Sequence, residues 1–265
     1  MSFKNTSRDV SRIESDSIEI GLAESGRLDP KRIPRHIAVI MDGNGRWAQK
    51  RALNRVKGHE KGLEAVRTVI RTCRKLGVST LTLYAFSTEN WQRPKLEVAA
   101  LMSFLKKYLK SERQDMVENG IRLNIIGQKT RLPDNVQTIL AETMALTANG
   151  NRMLLNLALS YGGRTEITDM TRKIAEAVQN KTLAPDEITE AVVADHLYTA
   201  GMDDPDLLIR TSGEMRISNF LLWQIAYAEI VVTPTLWPDF GQEELFAALR
   251  QYQARDRRFG KVKIQ

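Results

Sequence analysis

From residue 36 onward the chain alternates short apolar segments with helix-compatible ones, and this alternation limits its fold more than any other feature. Apolar runs rich in β-branched residues and bounded by Gly or Pro read as buried strands. They fall at 37–41, 78–86, 121–126, 153–160, 207–210 and 230–232. Helical stretches lie between them: 58–76, from Pro94 to about 118, 133–147, from Tyr161-Gly-Gly-Arg164 to about 179, a short one over 185–197, and 242–257. Leu63, Val66, Ile70 and Cys73 share one face of the first, and Leu101, Met102, Leu105, Tyr108 and Leu109 form the stripe of the second. The pattern predicts an α/β chain: one domain with a central, mainly parallel β-sheet flanked by helices. In such sheets ligands bind outside the carboxyl ends of the strands. Residues able to do chemistry do follow strand ends: Asp42, Ser87-Thr88-Glu89-Asn90, Gly162-Gly163-Arg164 and Arg210-Thr211-Ser212-Gly213.

Residues 1–30 are rich in Ser, Asp, Glu and Arg and have no apolar segment, so they are expected to be a disordered tail before a domain at 31–265. The longest apolar stretch, Phe220 to Val232, is interrupted by Gln224 and Glu229, too short for a membrane span. The lone cysteine, Cys73, excludes an internal disulfide and a cysteine-built metal site and reads as core packing. A cytoplasmic protein is the expectation. The net charge of +7 favours an anionic partner of some kind: nucleic acid, a membrane face or a phosphorylated substrate. The densest basic cluster, Arg250, Arg255, Arg257, Arg258, Lys261 and Lys263, is terminal and equally reads as a solvated end.

The segment His36-Ile-Ala-Val-Ile-Met-Asp42-Gly43-Asn44-Gly45-Arg46-Trp47 reads as a buried strand, a tight glycine turn and a helix start. Free amides at such a start favour an anion. Asp42 would repel a bare phosphate but suits one that arrives with Mg²⁺. Gly43-x-Gly45-x-x-Ala48 also satisfies a dinucleotide fingerprint, but no acid ends a second strand about 20 residues on, so the context fails. A purely structural turn is the remaining alternative.

Ser87-Thr88-Glu89-Asn90-Trp91-x-Arg93-Pro94 is either a capped helix start or a loop that orients a substrate while Trp91 closes off apolar space. Arg210 and Arg216, with Gly213 and Ser218, suit a diphosphate clamp, since guanidinium forks pair bidentately with phosphate oxygens. Arg55 and His59 lie close enough downstream of the first turn to reach an anion there; His36 and His196 have no such setting and receive no role. Glu229, a carboxylate in an apolar run, is costly unless paired or metal-bound, and with Asp42 is a metal-site candidate. The chain has no Walker A loop, no His-Glu-x-x-His and no Gly-x-Ser-x-Gly, which removes most support for ATP-driven, zinc-protease and serine-hydrolase chemistry.

The stretches 36–47, 86–94 (Phe-Ser-Thr-Glu-Asn-Trp-x-Arg-Pro), Tyr161-Gly-Gly-Arg164, 206–220 (Asp-Leu-Leu-Ile-Arg-Thr-Ser-Gly-Glu-x-Arg-Ile-Ser-Asn-Phe) and Arg257-Arg-Phe-Gly260 resemble, in order, the motifs of the cis-prenyltransferases. The resemblance runs from about Pro34 to the C-terminus. It implies a homodimer that condenses isopentenyl diphosphate onto farnesyl diphosphate with Mg²⁺, making an undecaprenyl diphosphate or a shorter or longer cis-polyprenyl product. By the same resemblance, Asp42 is the Mg²⁺ ligand and catalytic acid. Gly43, Asn44, Gly45, Arg46, Trp47, Arg55 and His59 line the allylic pocket. Ser87, Thr88, Glu89, Asn90, Trp91 and Arg93 orient substrates, with Asn90 assisting proton removal. Arg210, Arg216 and Ser218 clamp isopentenyl diphosphate, and Glu229 is a second metal-associated acid close to the neighbouring subunit's site. The growing chain is expected in an apolar tunnel beside Leu101–Leu109, with Met153 near its end, and product release at a transient membrane contact. A basic nucleic-acid or membrane-binding module would need neither Asp42 nor Glu229. A non-catalytic partner subunit would lack the turn acid or the Arg210–Arg216 pair, and both are here.

Overall fold

The structure, a computed structural model, describes residues 28–255. Six strands form one fully parallel sheet: β1 (His36–Ile40), β2 (Thr80–Ser87), β3 (Ile121–Ile126), β4 (Met153–Tyr161), β5 (Leu207–Arg210) and β6 (Glu229–Val232). Their order across the sheet is β3-β4-β2-β1-β5-β6. Seven helices connect or flank them: α1 (Asn44–Gln49), α2 (Arg55–Lys75), α3 (Lys95–Glu118), α4 (Asp134–Leu146), α5 (Gly163–Gln179), α6 (Glu190–His196) and α7 (Gln242–Gln253).

Both faces of the sheet are covered, which is why its strands are almost continuously apolar rather than alternating. Ile37 and Val39 pack with Val69, Ile70 and Cys73 of α2, Tyr108 and Leu109 of α3 and Leu245 and Leu249 of α7. Ala38, Ile40 and Leu208 face the other way, against Phe220, Leu221 and Ile225 of the segment that precedes β6. Cys73 is part of the core, and burial pushes its thiol up to about 12.

Most elements begin and end within two residues of the sequence reading, and the exceptions have local causes. The helix expected from Gly58 begins at Arg55, because the Asn54 side chain accepts from the Lys57 amide and caps it. Arg55 and His59 are thereby one helical turn apart on the same face. The single helix expected over 185–197 is a short 3₁₀ turn at Pro185–Glu187 followed by α6, which Thr189 caps through the Val192 amide. Of the expected tail, residues 1–27 lie outside the described residues, as do Arg257-Arg-Phe-Gly260 and the last lysines. Leu28, placed in the tail by sequence, is buried in the main core, and Asp29 receives and returns hydrogen bonds with Gln253 of α7. His36, without a role by sequence, has a structural one: buried, it bridges the Asp203 carbonyl at 2.7 Å and Thr82 Oγ1 at 2.7 Å.

The strand order fixes where a ligand can sit. From β1 the chain turns toward β2 on one side, while from β5 it turns toward β6 on the other. The crevice outside the ends of β1 and β5 is the switch point at which open α/β sheets bind ligands. Asp42 follows the first of these strands and Arg210 ends the second.

Candidate active site

Asp42 Oδ2 accepts a hydrogen bond from Arg210 Nη2 at 2.7 Å and lies 3.1 Å from Arg46 Nη2. The turn that carries it is fixed from β5: Thr211 Oγ1 accepts from the Asp42 amide at 2.9 Å and donates to the Asp42 carbonyl at 2.6 Å. Gly43 sits at φ 109, and a Cβ there would lie 2.9 Å from Leu236 Cδ2, so no other residue fits. A Cβ on Gly45 would meet Arg55 Nε at 2.8 Å, which lets that guanidinium lie directly over the turn. Burial pushes the Asp42 carboxyl up, but the Arg210 hydrogen bond and the Arg46 and Arg210 charges outweigh it and hold it below the usual carboxylate range. It is ionised at neutral pH.

Arg210 is 4% exposed, so its charge needs partners close at hand. Besides Asp42 it donates to the Arg216 carbonyl and, at 2.6 Å, to Ser218 Oγ. Its Nε is buried without an acceptor in the described structure. These bonds hold a loop in which Ser212, Ser218, Asn219 and Leu221 all have positive φ, an uncommon conformation for residues with a Cβ. Such positions cluster at functional sites because surrounding contacts must enforce them. Arg46 adds to the loop, reaching Ser212 Oγ at 2.5 Å and Glu214 Oε1 at 2.9 Å, while Arg216 pairs with Glu214 at 2.5 Å.

On the other side of the turn, Asn90 and Arg93 face both an open polar recess that includes Asp42, Ser87, Glu89, Arg210 and Ser218, and a deeper cleft. Asn90 Oδ1 accepts from the Ser87 amide and Glu89 accepts from Asn219 Nδ2, which joins the β2 loop to the β5 loop. The deeper cleft, with a cavity volume of about 170 Å³, lies between the sheet and helices α2 and α3. Asn44, His59 and Arg93 stand at its polar end, and Leu83, Leu101, Leu105, Tyr108, Leu157 and Leu159 line the rest.

The structure therefore gathers Asp42, Gly43, Asn44, Gly45, Arg46, Arg55, His59, Ser87, Glu89, Asn90, Arg93, Arg210, Arg216 and Ser218 at one rim. Three named residues have other work. Trp47 is buried, donates to Asp239 at 2.7 Å and carries Arg51 over its ring, so it braces α1. Trp91 packs edge-on against Phe86 and donates to Ser160, outside both recesses. Thr88 packs against Gly162. Met153 is buried at the start of β4 and does not line the cleft, whose wall from that strand is Leu157 and Leu159.

Glu229 is not brought to Asp42. It opens β6 and pairs in register with Leu207, whereas Asp42 lies beyond Ile40, whose partner Arg210 pairs with Val232. At about 3.3 Å per residue the two acids are more than roughly 10 Å apart within one chain. Glu229 is held instead by Arg255 at 2.6 Å.

The sequence reading missed Glu97 and Asn219 as members of the site, and placed Thr211 among the residues that follow strand ends without giving it a role. Glu97 read as a polar position of a helix, and nothing in the sequence marks it as buried. As for a cation, no cluster of three or more His, Cys, Asp or Glu side chains exists among the described residues. Both arginines take Oδ2 of Asp42, leaving Oδ1 for a metal. Mg²⁺ is commonly held by one or two carboxylates plus substrate phosphates, so the donor set fits an ion that arrives with a diphosphate and does not fit a resident one.

Residues 40–260 match a family model described as "Putative undecaprenyl diphosphate synthase". The isoprenyl transferase of Heliobacterium mobile is 52% identical over 242 residues, which is 91% of this chain and 93% of that one. Among solved structures, lavandulyl diphosphate synthase from Lavandula x intermedia, in complex with dimethylallyl diphosphate, superposes with a TM-score of 0.85 at 38% identity, covering 87% of this chain and all of that one (100%). A probable undecaprenyl diphosphate synthase from Campylobacter jejuni superposes with a TM-score of 0.72 at 33% identity, over 86% of this chain and 99% of that one.

Proposed function

Because the chain belongs to the undecaprenyl diphosphate synthase family of prenyltransferases, we propose that it extends farnesyl diphosphate with isopentenyl diphosphate in a Mg²⁺-dependent, cis-selective condensation. The observation that carries this reading is the placement of an ionised Asp42 between two basic groups of residues, in a recess that shares Asn90 and Arg93 with an apolar cleft. Arg55, His59 and Arg93 on one side suit the allylic diphosphate; Arg216 and Ser218 on the other suit isopentenyl diphosphate. The superposable lavandulyl diphosphate synthase was solved in complex with dimethylallyl diphosphate, itself an allylic diphosphate.

In the proposed reaction the allylic C–O bond breaks, the isopentenyl double bond attacks the freed carbon, and a proton leaves the new chain. Charge grows on the departing diphosphate, so donors set in advance lower the barrier. Arg55, Arg93 and the first-turn amides of α1 provide them, and Asp42 would hold Mg²⁺, which supplies further charge neutralisation. Asn90, between the recess and the cleft, orients the acceptor and assists proton removal. The apolar walls, Leu83 to Tyr108, keep water from the allylic cation. The cleft then receives the growing tail, and the product is a long-chain polyprenyl diphosphate, with undecaprenyl diphosphate the length the family favours.

Incubation with farnesyl and isopentenyl diphosphates plus Mg²⁺ should give a polyprenyl ladder ending at one dominant length, abolished by EDTA and restored by Mg²⁺. Absence of any product longer than farnesyl under these conditions ends the reading.

The proposed homodimer explains Glu229. Beside it Tyr227 and Ile230 are exposed. This face suits a second copy, and across it Glu229 would serve the neighbouring site with its metal. Glu229→Ala and Asp42→Asn homodimers should then both be nearly inactive, while their mixture regains activity. Random exchange gives mixed dimers with one intact site each, so about a quarter of wild-type turnover is the ceiling. A mixture shown to exchange subunits yet still inactive assigns Glu229 to its own chain.

A further inference from the structure

One buried carboxylate has no part in the chemistry above. Glu97 lies in the first turn of α3 and is 8% exposed. Its Oε1 accepts from Arg93 Nη1 at 3.0 Å and lies 3.5 Å from His59 Nε2; its Oε2 lies 3.6 Å from Arg55 Nη1. A single acid from α3 thus touches basic groups from α2 and from the loop after β2. An acid in a helix's first turn is favourable, but an exposed one serves that purpose as well and avoids desolvation. The burial of Glu97 has to be explained by what it touches.

We infer that Glu97 is a positioning residue for the allylic diphosphate: it holds Arg55, His59 and Arg93 together so that their remaining N–H groups converge on the diphosphate oxygens. The inference rests on the proposed assignment of those three residues to the allylic substrate. Without Glu97 the two guanidinium groups repel each other and, being long and flexible, spread toward solvent. Each guanidinium has five donors, and Glu97 engages only part of each fork. The rest stay available for bidentate contacts with phosphate. Fixing them before the substrate arrives removes an ordering cost from binding. Even with Glu97 in place the cluster keeps one net positive charge, because two arginines face one carboxylate. His59 adds no charge at neutral pH: burial and the Arg93 charge lower its pKa against the pull of Glu97.

The sign of one measurement separates positioning from simple charge. Glu97→Gln removes a negative charge, which by electrostatics alone strengthens anion binding. If Glu97 positions the cluster, the same change weakens it. Titration with inorganic pyrophosphate should show about a 10- to 100-fold loss of affinity in Glu97→Gln, the range expected when charge-assisted contacts lose their geometry. The KM for farnesyl diphosphate should rise in parallel while that for isopentenyl diphosphate stays within about 3-fold, and Glu97→Asp should recover most of the loss. If Glu97→Gln does not fold, Arg93→Gln/Glu97→Gln removes both charges of the strongest pair. It should bind pyrophosphate more weakly than Arg93→Gln alone, since Glu97 still holds Arg55 and His59 in that single variant. Unchanged or tighter pyrophosphate binding in Glu97→Gln overturns the inference, as does binding in the double variant as tight as, or tighter than, in Arg93→Gln alone. Wild-type protein that binds pyrophosphate but makes no prenyl product would refute the proposed reaction and still leave the role of Glu97 to be decided by the titration.

Discussion

Asp42→Asn is expected to lower kcat by about 10³-fold or more, because it removes the carboxylate proposed to hold the metal at the rim. The amide remains the better test than Ala. Arg210 is buried and takes Asp42 as one of its acceptors, so Asp42→Ala would also strip a partner from a buried charge. Leaving such a group short of an acceptor costs about 1–3 kcal/mol, a stability loss that would blur the kinetic result. The Asn carbonyl can still accept from Arg210, so the variant should melt within a few degrees of wild type and still bind farnesyl diphosphate through Arg55 and the turn amides. Turnover within about 10-fold of wild type would remove Asp42 from the mechanism. The pH profile gives an independent check. The Asp42 carboxyl is held below its ordinary 3.8, so any stability it contributes is present above that value and is lost only as pH falls below it. Loss of activity between pH 5 and 7 must therefore come from another group, and His59, neutral at pH 7 and gaining a proton as pH falls, is the candidate in the cleft.

The fold was legible because each signal was local. β-Branched runs ended by Gly or Pro gave six strands, and strand–helix alternation then dictated a parallel sheet and a single functional rim. The site was legible in part for the same reason: residues that follow strands must cluster, whatever the details. Burial was not legible. Trp47 and Trp91 stand inside motif stretches, yet their rings brace α1 and the β4 end, since an indole with a partner for its N–H packs as readily as it binds. Glu97 was invisible for the converse reason. Its partners come from 38 to 42 residues upstream in α2 and from Arg93, and no periodicity reports that meeting. Glu229 was judged by its apolar neighbours, but strand polarity put it at the amino end of β6, away from the rim where the parallel strands of the same sheet present their chemistry.

Arg210 and Arg216 looked alike in the sequence, six residues apart and equally suited to a clamp; the structure gives them different burdens. Arg216 is exposed and, among the described residues, pairs with the Glu214 carboxylate, so Arg216→Ala should act on isopentenyl diphosphate alone. A lost charge-assisted contact costs about 1.5–3 kcal/mol, or roughly 10- to 150-fold in kcat/KM, with the KM for farnesyl diphosphate within about 3-fold. Arg210 is the buried centre of the loop: it holds the Arg216 carbonyl, Ser218 and Asp42 at once. Arg210→Ala therefore releases a loop with four non-glycine residues at positive φ, frees Asp42 from its closest partner and opens a space behind the rim. Removing one member of a buried charged network costs about 3 kcal/mol or more. The variant should unfold several degrees earlier and lose more than about 10³-fold in kcat/KM for both substrates, since the geometry of Asp42 serves both. Steady-state kinetics on each substrate beside thermal melts measure this directly. An Arg210→Ala protein with wild-type stability and a defect confined to isopentenyl diphosphate would show that Arg210 is a second Arg216, and that the loop and Asp42 keep their places without it.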